Sequence, residues 1–113
     1  MTRYLGNLTY NEVTIANGQT TSGAIDLQGL VICQIIMPAA FTSASISFTS
    51  SHNDGTYQPL YNTANTALSI TIGTSRTYNI APSDFAGCRF LKIVSAGAEG
   101  GSRTIGIITR EAM

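Results

Sequence analysis

Cys88-Arg89-Phe90-Leu91-Lys92-Ile93-Val94-Ser95 is the stretch on which the fold turns. Phe90, Leu91, Ile93 and Val94 are aromatic, aliphatic or β-branched, the side chains that suit a pleated surface. No helix cap precedes them; Pro82-Ser83-Asp84-Phe85-Ala86-Gly87 before them reads as a turn. The apolar residues do not alternate strictly, because Leu91 and Val94 break the parity of Phe90 and Lys92. A near-continuous apolar run of this length predicts a central strand, buried on both sides or carrying a bulge. Leu30 to Met37, with Val31, Ile32, Ile35 and Ile36, is a second run of this kind, and Pro38 ends it.

Shorter strand signals lie around these two. Ile46 and Phe48 alternate with Ser45, Ser47 and Thr49, which predicts one wet face and one core face. Val13 and Ile15 alternate with Glu12 and Thr14, and Leu68, Ile70 and Ile72 with Ser69 and Thr71. Ser22 to Leu27, Tyr57 to Tyr61, Arg76 to Ile80 and Arg103 to Arg110 complete the set. Asn17-Gly18, Gln28-Gly29, Asp54-Gly55 and Gly73-Thr74-Ser75 are turn signals between them. Ser83 is placed to cap one helical turn before Gly87. Eight or nine short strands at this spacing predict an all-β, antiparallel β-sandwich, jelly-roll-like. The chain of 113 residues divides into an N-terminal arm, residues 1–9, and one sandwich domain, residues 10–113.

Charge narrows the function. Only 11% of residues are charged, against the roughly 25% usual in soluble domains. Surface polarity must then come from Ser, Thr, Asn and Gln, which are easier to desolvate against another protein. Six basic and six acidic residues cancel, leaving no basic patch for a phosphate backbone, so no nucleic-acid partner is expected. No apolar run is long enough for a membrane-spanning helix, and no membrane partner is expected. A charged leader followed by an apolar run is not visible, so folding in a reducing compartment is expected. Cys33 and Cys88 then read as two buried free thiols, and Asn7-Leu8-Thr9 as a chance sequon.

Catalysis has little to stand on. Glu12, Asp26, Asp54, Asp84, Glu99 and Glu111 are isolated from one another, and four of them fall in expected loops or at the terminus, where they read as solvated charges. A glycosidase-type carboxylate pair would need the fold to unite two of them. His52, among Ser50, Ser51 and Asn53, has no nucleophile elbow beside it. Gly97-Ala98-Glu99-Gly100-Gly101 lacks the Lys-Ser ending of a phosphate loop and reads as a hairpin loop. Asn53 and Asp54 offer too few oxygens for a calcium site and read as a plain turn. No catalytic residue, metal or cofactor is therefore assigned, no small-molecule ligand is expected, and the chain reads as a non-enzyme.

Binding has more. Arg3, Tyr4, Leu5, Leu8 and Tyr10 stand among small residues at the N-terminus, as in a segment that is disordered or packs on its own domain, or in an arm that docks on a neighbouring subunit. Tyr57 and Tyr61, expected on one face of one strand, read first as cover for the edge of the core; they also suit stacking on sugar rings, the basis of an alternative reading as a carbohydrate-binding module of a phage tail or head fibre.

Four stretches together look like the small structural proteins of tailed bacteriophages. They are Val13-Thr14-Ile15-Ala16-Asn17-Gly18 through Gly23-Ala24-Ile25-Asp26-Leu27; Met37-Pro38-Ala39-Ala40-Phe41-Thr42; Asn53-Asp54-Gly55-Thr56-Tyr57-Gln58-Pro59-Leu60-Tyr61; and Pro82 to Lys92. The likeness runs over about residues 10–110. It implies a β-sandwich virion component assembled in the host bacterial cytoplasm, of the capsid decoration or cement type. The partners it implies are the major capsid protein and the chain itself, as a homotrimer. It carries over no catalytic residue.

Overall fold

A computed structural model describes residues 8–111. Arg3, Tyr4, Leu5 and the Asn7 sequon lie outside them. Nine strands are seen among the described residues: β1 (Thr9–Ile15), β2 (Ile25–Asp26), β3 (Leu30–Ile36), β4 (Ser45–Ser51), β5 (Gln58–Pro59), β6 (Ser69–Thr71), β7 (Thr77–Asn79), β8 (Phe90–Ser95) and β9 (Arg103–Glu111). They form two antiparallel sheets. One has the order β1-β9-β3-β7; the other has the order β2-β8-β4-β5, with β6 pairing the same strand β4.

The pairing is nested. β1 pairs β9, β2 pairs β8, β3 pairs β7, and β4 pairs β5 and β6. A single long hairpin has this pattern. Rolling it up brings β9 against β3 and β8 against β4, closing two sheets face to face. That is a jelly roll. β5 and β6 share the place of one strand beside β4, and Pro59 marks the interruption, since proline cannot donate to a ladder.

β8 is central, flanked by β2 and β4, as its composition predicts. It is buried on one face only. Leu91, Ile93 and Ser95 point into the core and Phe90, Lys92 and Val94 are half-buried outside. No bulge interrupts its pairing with β4. Phe90 and Val94 escape full exposure through lateral cover. The Arg89 guanidinium sits 4.9 Å from the Phe90 ring centroid, and Thr21 bridges to Val94. The bulge is in β3 instead, where the register shifts between Ile32 and Gln34 at Cys33.

The core lies between the sheets. Val13, Ile15, Ile32, Ile35, Ile105 and Ile107 face Ile25, Ile46, Phe48, Leu91 and Ile93. Phe85, from the 3-10 turn Pro82–Phe85, closes one side with its ring edge-on to Phe48 at 5.1 Å. Pro82 opens that turn and Ala81 precedes it with no side-chain cap, so Ser83 is not the cap the sequence suggested. Proline at the first helical position needs no such donor partner. Gln28 and Gly29 both have positive φ, 54° and 86°, and the Leu30 amide donates to the Leu27 carbonyl at 2.8 Å. This tight turn reverses the chain between β2 and β3.

One expected turn and one expected hairpin loop are crossovers between the sheets. Gly73-Thr74-Ser75 does turn the chain, but β6 belongs to one sheet and β7 to the other. The glycine-rich segment after β8 likewise passes between sheets to β9. Within it Glu99 is buried, 1% exposed, and is not the solvated charge its loop context suggested. Its carboxylate accepts from the Thr42 amide at 2.7 Å, the Ser43 amide at 3.1 Å, the Ser43 hydroxyl at 2.9 Å and Arg103 Nε at 3.1 Å. The Gly18 amide donates to its backbone carbonyl at 2.7 Å, and its own amide donates to Gln19 at 3.0 Å. One residue thus ties together the β1–β2, β3–β4 and β8–β9 connections. Burial is the largest single influence on this carboxyl and opposes ionisation. The donors from Thr42, Ser43 and Arg103 together outweigh it and hold the pKa below the usual glutamate range.

Two outcomes follow from this packing. Ile93→Ala should lower unfolding free energy by roughly 2–5 kcal/mol in denaturant titration, while Val94→Ala beside it costs much less; equal losses would mean that β8 is buried on both faces. Because the folded pKa of Glu99 is depressed, its contribution is fully present above its unfolded value of about 4.3 and is lost as pH falls below that, through the folded value. Glu99→Gln should therefore cost about 2–4 kcal/mol at neutral pH and flatten the acid limb of the stability profile, read by thermal melts from pH 7 to pH 2.

Candidate interaction surfaces

The outer face of the five-stranded sheet is built from the residues that alternate with the core. On β4 these are Ser45, Ser47 and Thr49, opposite the buried Ile46 and Phe48. On β6 they are the exposed Ser69 and Thr71, in register with Ser47 and Ser45. On β8 they are Phe90, Lys92 and Val94. The period-two serine pattern of the sequence therefore becomes a hydroxyl-lined sheet face.

The charges on that face are already engaged. Arg89 Nε donates to Asp26 Oδ1 at 2.7 Å, and Arg89 Nη2 donates to Asp26 Oδ2 at 3.2 Å. The hydrogen bond from Arg89 is the main reason the Asp26 carboxyl titrates below its usual range. Lys92 Nζ stands 4.3 Å from the centre of the Tyr57 ring. Tyr57 in turn donates its hydroxyl to Asp54. Burial first, then that bond to Asp54, pushes the Tyr57 phenol up to about 12.

Tyr57 and Tyr61 flank a very short strand and differ in exposure. Strand β5 covers only Gln58–Pro59, and the chain leaves it for a tight loop in which Tyr61 bridges Ala67. Asn62 Oδ1 accepts from the Ala64 and Thr66 amides and builds that loop. Tyr61 is exposed, 52%, whereas Tyr57 has Lys92 over its ring and its hydroxyl committed.

Of the residues expected to form an N-terminal protein interface, Leu8 and Tyr10 are exposed, 41% and 53%. Thr9 and Tyr10 belong to β1, paired with Thr109 and Ile108, so the sheet begins before the boundary drawn from the sequence. Tyr10 folds back over its own sheet. Its ring lies across Gly106, where a Cβ would come within 2.9 Å of it, and its hydroxyl donates to Glu12 at 2.8 Å. That hydrogen bond is the chief reason the Tyr10 phenol is raised.

A cleft of about 170 Å³ opens beside the sandwich, lined by Phe48, Leu68, Ile70, Ile80, Asp84 and Phe85 among others. Asp84 brings it a single carboxylate. Among the described residues no group of three or more His, Cys, Asp or Glu side chains gathers anywhere, and no helix is long and apolar enough to cross a membrane. Cys33 and Cys88 are half-buried free thiols. Cys33 Sγ donates to the Ile108 carbonyl at 3.4 Å, and burial raises the Cys88 pKa.

No protein-family model and no curated protein sequence matches the chain. Among solved structures it is similar to the SPBc2 prophage-derived protein YomS, with a TM-score of 0.55 and 16% identity over 90% of this chain and 93% of that one. The core of the Drosophila protein NLP overlaps more loosely, with a TM-score of 0.43 and 18% identity over 88% of this chain and 97% of that one. At these identities the first likeness is one of fold, and the second is too loose to bear on the argument.

Proposed function

We propose that this chain is a non-enzymatic structural protein of a tailed-phage virion, a capsid decoration protein that binds the head shell as a closed oligomer. The observation that carries the reading is the outer face of the five-stranded sheet. Ser45, Ser47, Thr49, Ser69 and Thr71 present hydroxyls across it, while Asp26, Arg89 and Lys92 are already partnered within the chain. A partner can cover such a face without desolvating an unpaired charge. Repetition on a symmetric shell then multiplies a modest affinity per contact. Two further points support the virion setting. The stretches quoted above resemble tailed-phage structural proteins, and YomS, whose fold is similar, is prophage-derived.

The carbohydrate-binding alternative loses support from the engagement of Tyr57, which leaves Tyr61 as the exposed ring of that pair. Purified virions from a host that carries the gene provide the test. The chain should be found in them at a fixed ratio to the major capsid protein, and purified protein should co-sediment with stripped heads whether or not sugars are present. Its absence from particles, or binding to a glycan array but not to heads, would contradict the proposal.

A further inference from the structure

The five sheet edges of the roll are not alike. β2, β5, β6 and β7 are two or three residues long, and β5 contains a proline. β1 has seven residues, Thr9–Ile15, in unbroken register with β9 on one side. It carries no lysine, no proline and no bulge, the usual guards of a sheet edge. Its two outward-turned bulky side chains do not screen it either, since Tyr10 lies back over Gly106 and bonds Glu12.

The direction of its backbone groups follows from one bond. The Thr14 carbonyl accepts from the Gly23 amide at 3.4 Å, so Thr14 faces away from β9. In an antiparallel strand alternate residues turn both backbone groups to the same neighbour. Tyr10 and Glu12 therefore also face away, and no backbone group among the described residues is bonded to them there. Gly23 closes the edge at Thr14, and among the described residues nothing pairs the segment up to Val13.

We propose that this open edge pairs antiparallel with the same edge of a second copy, about a twofold axis at Asn11. In that register Tyr10 lies opposite the partner's Glu12 and the reverse. Every outward amide and carbonyl of Tyr10 and Glu12 finds a partner. Carboxylates do not face each other, as they would about an axis at Glu12. An axis at Val13 would demand the Thr14 carbonyl that Gly23 occupies. An axis at Tyr10 would set each Glu12 carboxylate against an exposed Leu8. The contact is isologous and closes on itself, joining two four-stranded sheets into one continuous sheet. Pairing with the opposite edge, β7, offers only three residues. The inference goes beyond the virion reading and does not depend on it, and it replaces the threefold implied by the resemblance with pairing in twos.

Asn11 and its symmetry mate would form a pair without hydrogen bonds between their backbones, with Cα atoms about 4.5 Å apart, within disulfide reach. Asn11→Cys should therefore oxidise to a covalent dimer on a non-reducing gel, while the unaltered chain, with Cys33 and Cys88, should not. Light scattering across a concentration series should show the unaltered protein reaching a dimer. Glu12→Pro removes an outward amide that serves no bond in the chain's own sheet. It should leave the circular dichroism spectrum unchanged and weaken dimerisation by at least about tenfold. A Tyr10→Cys crosslink where Asn11→Cys gives none would overturn the register. A monomer at all concentrations, or an oligomer indifferent to Glu12→Pro, would overturn the interface.

Discussion

A carboxylate removed from water must be repaid in hydrogen bonds, and Glu99 places that constraint where the fold is most in need of it. A jelly roll has to carry its chain from sheet to sheet repeatedly, and no ladder holds the crossing segments. Here three crossings meet at one residue. The Glu99 backbone holds Gly18 and Gln19, its side chain holds Thr42 and Ser43, and Arg103 at the start of β9 approaches from the same loop. Neighbouring polar groups extend the knot. The Gly97 amide donates to Ser43 Oγ, Ser95 Oγ donates to the Gly97 carbonyl, and the Gly100 amide donates to Thr42 Oγ1. Loss of any one donor would leave charge under-compensated in a site that water does not reach. The two sheets are therefore pinned at one end by electrostatics, and along their length by the aliphatic core.

The strands were legible because their signals are local. The alternation of Ile46 and Phe48 with serine and threonine became the inner and outer faces of β4, and the apolar runs at Leu30 and Phe90 became the inner strands of the two sheets. What composition could not separate was a strand buried on both faces from one buried on a single face and sheltered laterally. Phe90 and Val94 look like core residues in sequence. They are half-covered on the outside by a guanidinium and a bridging threonine.

The connections were less legible, for a different reason. A turn signal such as Gly73-Thr74-Ser75 says that the chain bends and not which sheet it enters next. Glu99 was misread because its partners lie 56 and 57 residues away in sequence. The one local sign was Arg103, four residues on, in a chain with few charges. Tyr57 shows the same limit, since Lys92 arrives over its ring from another element and no neighbour in sequence announces it.

The outward surfaces share a chemistry. On the five-stranded sheet hydroxyls are presented and ionic groups are paired off internally. On the four-stranded sheet the open edge at Tyr10 and Glu12 offers backbone groups. Both of the proposed contacts would depend on geometry more than on net charge, and both would need sheets that do not shift. The knot around Glu99 is what would fix them, so amide hydrogen exchange at that site tests the account most directly. The Thr42 and Ser43 amides lie outside any strand. They should nevertheless exchange as slowly as the Ile93 amide in the core of β8. Exchange as fast as at Gly55, in the exposed β4–β5 loop, would contradict the claim that Glu99 locks the crossings.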